Sequence, residues 1–66
     1  MKIGEVKKWN DERGFGFIRV DGHDLFVHAT ALPRGTTRLQ VGAHVAFDIG
    51  LNERTGLPMA TNVRLT

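Results

Sequence analysis

The sequence predicts a small all-β domain of five short strands, closed as a barrel or packed as a sandwich, and three observations lead there. Apolar and polar residues alternate at period two in several runs, and turn chemistry bounds each run at roughly even spacing. Eight glycines and two prolines in 66 residues speak against long helices, because an interior glycine costs about 1 kcal/mol relative to alanine. A chain this short buries only about 60% of its unfolded surface and sustains one core. Residues 1–66 are therefore expected to form a single domain.

The first strand is expected over Lys2 to Asn10, and Asn10-Asp11-Glu12-Arg13-Gly14 then suits a short hairpin loop. Phe15 to Val20 follows as the second strand. Asp21-Gly22 is a two-residue hairpin signal, since both central positions of a type I′ turn need positive φ. His23 to His28 makes the third strand, which completes a meander. From Ala29 to Gly42 the pattern loosens around Pro33, Gly35 and two threonines, which predicts a short helical turn and then an exposed loop. His44 to Leu51 is the fourth strand, with Val45, Phe47 and Ile49 on one face and Ala46 and Asp48 on the other. After the polar turn Asn52-Glu53-Arg54-Thr55-Gly56, Met59 to Leu65 closes the chain, with Val63 and Leu65 sharing a side.

Composition narrows the function. With no cysteine there are no disulfides and no Cys-based zinc sites, so the 41% hydrophobic fraction holds the fold unaided. That fits a reducing cytoplasm, the expected location. The N-terminal residues meet charge before any apolar run forms, and no stretch approaches the roughly 18 apolar residues of a membrane span. Neither a signal peptide nor a membrane anchor is expected. Nine Lys/Arg against seven Asp/Glu give +2, a surplus that permits a polyanion partner without requiring one.

No enzyme, metal or cofactor is expected. His23, His28 and His44 share no ligand spacing. Thr30 near His28 is only a neighbour in sequence, with no carboxylate placed to orient the imidazole. Gly14-x-Gly16 is not a phosphate loop, because no Lys-Ser/Thr follows and no helix begins there.

The informative step lies in strands two and three. Gly16, Ile18 and Val20 alternate with Phe15, Phe17 and Arg19, and Leu25 and Val27 alternate with Asp24, Phe26 and His28. Burying the phenylalanines would push Ile18 and Val20 into water and pull Arg19 inward, so the aliphatic set is the better core. Two adjacent strands then present Phe15, Phe17, Phe26 and His28 on a wet face beside Lys7, Lys8, Arg13 and Arg19. Exposed phenylalanines in a patch are costly unless something covers them. Single-stranded nucleic acid has the flat bases and the negative charge that such a face suits.

Arg13-Gly14-Phe15-Gly16-Phe17-Ile18 matches the first ribonucleoprotein motif, and Leu25-Phe26-Val27-His28 resembles the second. With Gly4-x-Val6-Lys7, Asn10, Gly42-x-x-Val45-x-Phe47 and Ala60-x-Asn62-Val63, the chain resembles a bacterial cold-shock protein over nearly its whole length. An RRM domain shares such motifs but needs two helices and about 80 to 90 residues, for which there is neither room nor periodicity. The resemblance implies a five-stranded antiparallel OB-fold barrel that binds single-stranded RNA or DNA, in a family of RNA chaperones and transcription antiterminators. It implies Phe15, Phe17, Phe26 and His28 as stackers, with Lys7, Arg13 and Asp24 as polar contacts and Asp24 accepting from base edges.

Three departures from the family pattern stand out. Lys8 occupies the usual tryptophan position and Trp9 the usual phenylalanine, His28-Ala29-Thr30 replaces His-Phe-Ser, and Thr36 replaces an aromatic of the long loop. Lys8, Arg19, Arg34 and Arg38 beside the missing aromatics suggest a shift from stacking toward charge, with a steep salt dependence. Trp9 is expected at the rim of the binding face, the alternative being partial burial at the barrel edge. Arg54 is either a contact or an ordinary turn charge. His44 is expected to be solvated. The expected partner is a single strand met by a monomer, with duplex recognition disfavoured for want of a helix or arm to enter a groove. The rival reading is a protein-interaction barrel that docks a partner on the same phenylalanine patch, against which the flanking cations speak.

Overall fold

Each run of alternating polarity becomes a strand. The computed structural model describes residues 1–66, in which β1 (Lys2–Asn10), β2 (Phe15–Val20), β3 (His23–His28), β4 (His44–Leu51) and β5 (Pro58–Leu65) close into a barrel in the order β1-β2-β3-β5-β4. Asp21 and Gly22 both take positive φ, 51° and 79°, as the tight β2–β3 hairpin requires. The expected helical turn is a single 3-10 turn over Ala29–Ala31. Four of the five strand contacts are antiparallel; β5 meets β3 in parallel at Phe26↔Met59 and Val27↔Ala60.

The inward residues are the aliphatic set. Val6, Ile18, Leu25, Val27, Val45, Phe47, Ala60 and Val63 form the core, and Leu39 joins them from the long loop. Leu39 stood only among scattered apolar residues in the sequence; its burial puts an apolar side chain into the barrel from a segment without strand periodicity. Ile49 departs from expectation. It pairs with Ala60, but β4 runs past the start of β1 after Phe47↔Lys2, so nothing covers its far end and Ile49 is half exposed. Ala46, expected on the outer face with Asp48, is buried in register between Ile3 and Arg64.

Two irregularities reset the alternation. Between Ala46↔Arg64 and Asp48↔Thr61, β5 advances by one more residue than β4, and Asn62 absorbs the extra residue at φ 51°. Ala60 and Val63 are consequently both buried at a spacing of three, which simple alternation forbids. Between Val6↔Ile18 and Lys8↔Phe17, β1 gains a residue on β2, so Val6 faces in, Lys8 faces out with Phe17, and Trp9 turns in opposite Gly16. The long loop secures Val6 from the other side: its amide donates to Ala43 O at 2.9 Å and its carbonyl accepts from Gly42 N at 2.8 Å.

Gly16 makes that arrangement possible. A Cβ there would strike the Lys8 carbonyl oxygen and lie 2.7 Å from Trp9 Cε3. Overpacking of this kind typically costs about 1–3 kcal/mol. Gly16→Ala is therefore expected to lower the unfolding free energy by about that amount, read from chemical denaturation, whereas Gly22→Ala, with open space around it, meets only its backbone strain.

Candidate nucleic-acid interface

The outward residues of β2 and β3 stand in cross-strand pairs, and neighbouring strands extend each pair into a row. One row runs His28, Phe15, Asn10; the next Met59, Phe26, Phe17, Lys8; the third Asp24, Arg19, Glu5. The phenylalanines pack on one another. Phe15 and Phe26 stack with centroids 5.6 Å apart, and Phe17 meets both edge-on at 6.4 and 6.1 Å. His28 lies 6.4 Å from Phe26 at a 34° tilt. All four rings are half-buried by this mutual contact, which leaves one continuous aromatic surface toward solvent.

Local hydrogen bonds hold the upper end of this surface. Asn10 Oδ1 accepts from the amides of Glu12 and Arg13 at 3.0 and 3.1 Å, and Gly14 N donates to Asn10 O at 2.8 Å, which fixes the turn that leads into Phe15. Gly14 O accepts from Ala29 N at 2.7 Å and prolongs the β2–β3 ladder past His28. His28 Nδ1 accepts the Thr30 amide at 3.2 Å and lies 3.1 Å from the Thr30 hydroxyl. Thr30 is thus more than a neighbour in sequence. It orients the imidazole, and in the neutral ring it leaves Nε2 as the nitrogen that carries the proton.

The cations divide into held and free. Lys7 pairs with Glu5 at 3.4 Å, Arg38 with Asp11 at 3.4 Å, and Arg19 with Asp24 through Nε at 2.9 Å and a second nitrogen at 3.4 Å. Lys8, Arg13, Arg34 and Arg54 form no ion pair. Of the four charges that suggest a shift toward electrostatic binding, Arg19 and Arg38 already have acid partners, and Lys8 and Arg34 do not. The hydrogen bond from Arg19 holds the Asp24 carboxyl below its ordinary value, with Lys7 adding a smaller pull in the same direction; the reciprocal bond raises Arg19.

Trp9 is not on this face. The extra residue in β1 turns its indole inward, where it packs against the core beside Gly16 in the partial burial weighed as the alternative. Its Nε1 is buried without a hydrogen-bond partner. Trp9 lines a cleft of about 840 Å³ with Asp11, Arg38, Leu39, His44 and Leu65, apart from the aromatic rows. Lys8, Phe15, Phe17, Arg19, Asp24, Phe26 and His28 do come together on the β1–β2–β3 surface, Lys7 is tied to it through Glu5, and Arg13 lies in the β1–β2 turn that leads into it.

Residues of β5 and the β4–β5 loop also border the site. Arg54 lies beside Phe17, Phe26, Asp24 and Leu57 in a cleft of about 800 Å³, and beside His28, Thr30 and Met59 in a smaller one of about 390 Å³. Met59 and Leu57 escaped the sequence reading, because only the non-local β3–β5 pairing brings them to Phe26.

A closed five-stranded barrel with an aromatic and basic β1–β2–β3 surface defines an OB-fold domain. The family model for the 'Cold-shock' DNA-binding domain matches residues 2–66. Similar proteins include cold shock protein CspD of Bacillus subtilis at 46% identity, and CspB of Bacillus caldolyticus and CspA of Staphylococcus aureus at 45%. Each alignment spans 65 residues and covers 96% of both chains. The chain belongs to the cold-shock domain family, whose members are binding proteins and not enzymes.

The Arg19–Asp24 pair makes a pH prediction. Because the folded value of Asp24 is depressed, its contribution to stability is present above the unfolded-chain value and disappears as the pH falls through the folded one. Melting curves of the wild type and Arg19→Gln should differ only slightly at neutral pH, as the pair is exposed, and converge in strong acid. The Asp24 carboxyl resonance of Arg19→Gln should titrate at a higher pH than that of the wild type, because the hydrogen bond that lowers it is gone.

Proposed function

We propose that the chain binds single-stranded RNA or DNA on the β1–β2–β3 face, by stacking bases on Phe15, Phe17, Phe26 and His28 and neutralising phosphates with Lys8, Arg13 and Arg54. The observation that carries this reading is the aromatic surface itself, three phenylalanines and a histidine held in contact on the outside of a barrel whose core is filled without them. Such a surface offers π faces to any base, and cations without an acid partner beside it, Lys8, Arg13 and Arg54, support phosphate neutralisation. Base-on-aromatic stacking tolerates sequence, and phosphate neutralisation is sequence-independent. Together they suit an RNA chaperone or transcription antiterminator, a monomeric cytoplasmic protein that keeps transcripts single-stranded without reading one site. Its relatives carry the name cold shock protein, which agrees with that role.

Lys8 changes the balance of this binding. It stands in the row of Phe17 and Phe26, so the row ends in a charge where a further ring would extend the stack. Three free cations near the face, at a slope of about −0.7 per neutralised phosphate, give a salt slope near −2, or about a hundredfold loss of affinity per tenfold rise in salt.

Titration with a single-stranded oligonucleotide of about eight bases, within the range of OB-fold site sizes, followed by amide shifts, tests the reading. Shifts should gather on Phe15, Phe17, Phe26 and His28. Phe17→Ala and Phe26→Ala should each weaken binding by about 1–3 kcal/mol, roughly 5- to 150-fold. Absence of binding at low salt, or partners in a pulldown that survive nuclease, would favour protein docking and overturn it. Trp9 fluorescence should respond little, since the indole lies off the face.

A further inference from the structure

We propose that Asp24 restrains strand binding at this face by holding Arg19 away from phosphate, so that the lower row closes the strand's path instead of extending it. The inference rests on the single-strand reading above and assigns Asp24 a role opposite in sign to the base-edge contact that the family resemblance implies.

Four charged residues alternate at the lower end of the face. Lys7 is held by Glu5 at 3.4 Å, Glu5 stands in register with Arg19, and Arg19 is held by Asp24 at 2.9 and 3.4 Å. The quartet has no net charge, and each cation in it has a carboxylate against it. Both carboxylate oxygens of Asp24 face the guanidinium, Oδ1 toward Nε and Oδ2 toward a terminal nitrogen, which reduces its capacity to accept from a base. A phosphate approaching Arg19 would share the guanidinium with a like-charged group already bonded to it. Lys8, Arg13 and Arg54 carry no such burden.

The quartet is placed where it decides the footprint. It forms the row directly below Phe17 and Phe26, so a strand stacked on the upper two rows meets it next. The Arg19 and Asp24 side chains are 53% and 47% exposed, so the pair is within reach of a ligand and its removal opens no cavity in the core. Lys7, the bulged residue of β1, lies close enough to Asp24 to lower its carboxyl value. Neutralising Asp24 therefore removes the carboxylate hydrogen-bonded to Arg19 and leaves Glu5 as the one carboxylate opposing both Arg19 and Lys7.

Anisotropy titrations of a labelled eight-base single strand across a salt series, on the wild type, Asp24→Asn, Arg19→Gln and Phe26→Ala, test this, with melting curves to verify folding. Asp24→Asn should tighten binding several-fold at low salt and steepen the slope by about 0.7 for each cation released. Arg19→Gln should weaken binding at an unchanged slope, because it bares a carboxylate and removes no phosphate contact. If Asp24→Asn instead weakens binding, or Arg19→Gln flattens the slope by about 0.7, Asp24 reads bases or Arg19 already holds phosphate, and the inference fails while the single-strand reading stands. If the wild type does not bind, or Phe26→Ala binds as the wild type does, the single-strand reading fails and the inference falls with it.

Discussion

The interior of a five-stranded barrel is narrow, and the buried residues of β2 and β3, Gly16, Ile18, Leu25 and Val27, fill their share of it with three aliphatic side chains and a hydrogen atom. Phe47 is the one aromatic ring fully inside. The remaining phenylalanines have nowhere to go but outward, because the alternation of an extended chain commits residues 15, 17 and 26 to the face opposite 16, 18, 25 and 27. The same alternation that seals the core builds the outer aromatic face. Both sides of the hairpin are held by one ladder, so a shift of one residue would bury Arg19 and Asp24 and expose Ile18 and Leu25.

The first strand needs a correction to join this plan, and the extra residue at Lys7 supplies it. Val6 must face inward with Ile18, yet Trp9 must also face inward beside Gly16, three positions further on. An unbroken strand puts positions of that spacing on opposite sides. The bulge absorbs the mismatch and turns Lys8 to the outer face. Gly16 completes the arrangement by letting the Lys8 carbonyl and the indole approach its backbone. The charge that ends the middle aromatic row is thus tied to the packing of Trp9 on the other side of the sheet.

Counting cations does not describe the electrostatics of the face. The excess over the whole chain is small, and several cations are spent on carboxylates nearby: Lys2 on Asp21, Lys7 on Glu5, Arg19 on Asp24, Arg38 on Asp11. What remains is a receptive upper region around Lys8 and Arg13, a flank at Arg54, and a neutral lower row. Exposed ion pairs of this kind contribute little to stability. On the proposed strand-binding face, a phosphate would compete with a carboxylate already in place.

Strand positions, the tight Asp21-Gly22 hairpin and the outward set Phe15, Phe17, Phe26 and His28 were legible in the sequence, because each depends on residues adjacent along the chain and on a period of two. Cold-shock family membership was legible for the same reason, its motifs being contiguous in β2 and β3. Wherever a residue's place depends on a partner distant in sequence, the local pattern does not carry it. Trp9 turned inward because a bulge is defined only against β2, and Ile49 lost its cover because β4 outruns β1. Met59 reached Phe26 through a parallel contact between strands far apart in the chain, and Arg38 met Asp11 across twenty-seven residues. The sequence by itself determined which residues form strands and which side chains share a face. Tertiary structure alone decided register, end coverage and ion pairing, because these are relations between segments and no local pattern encodes them.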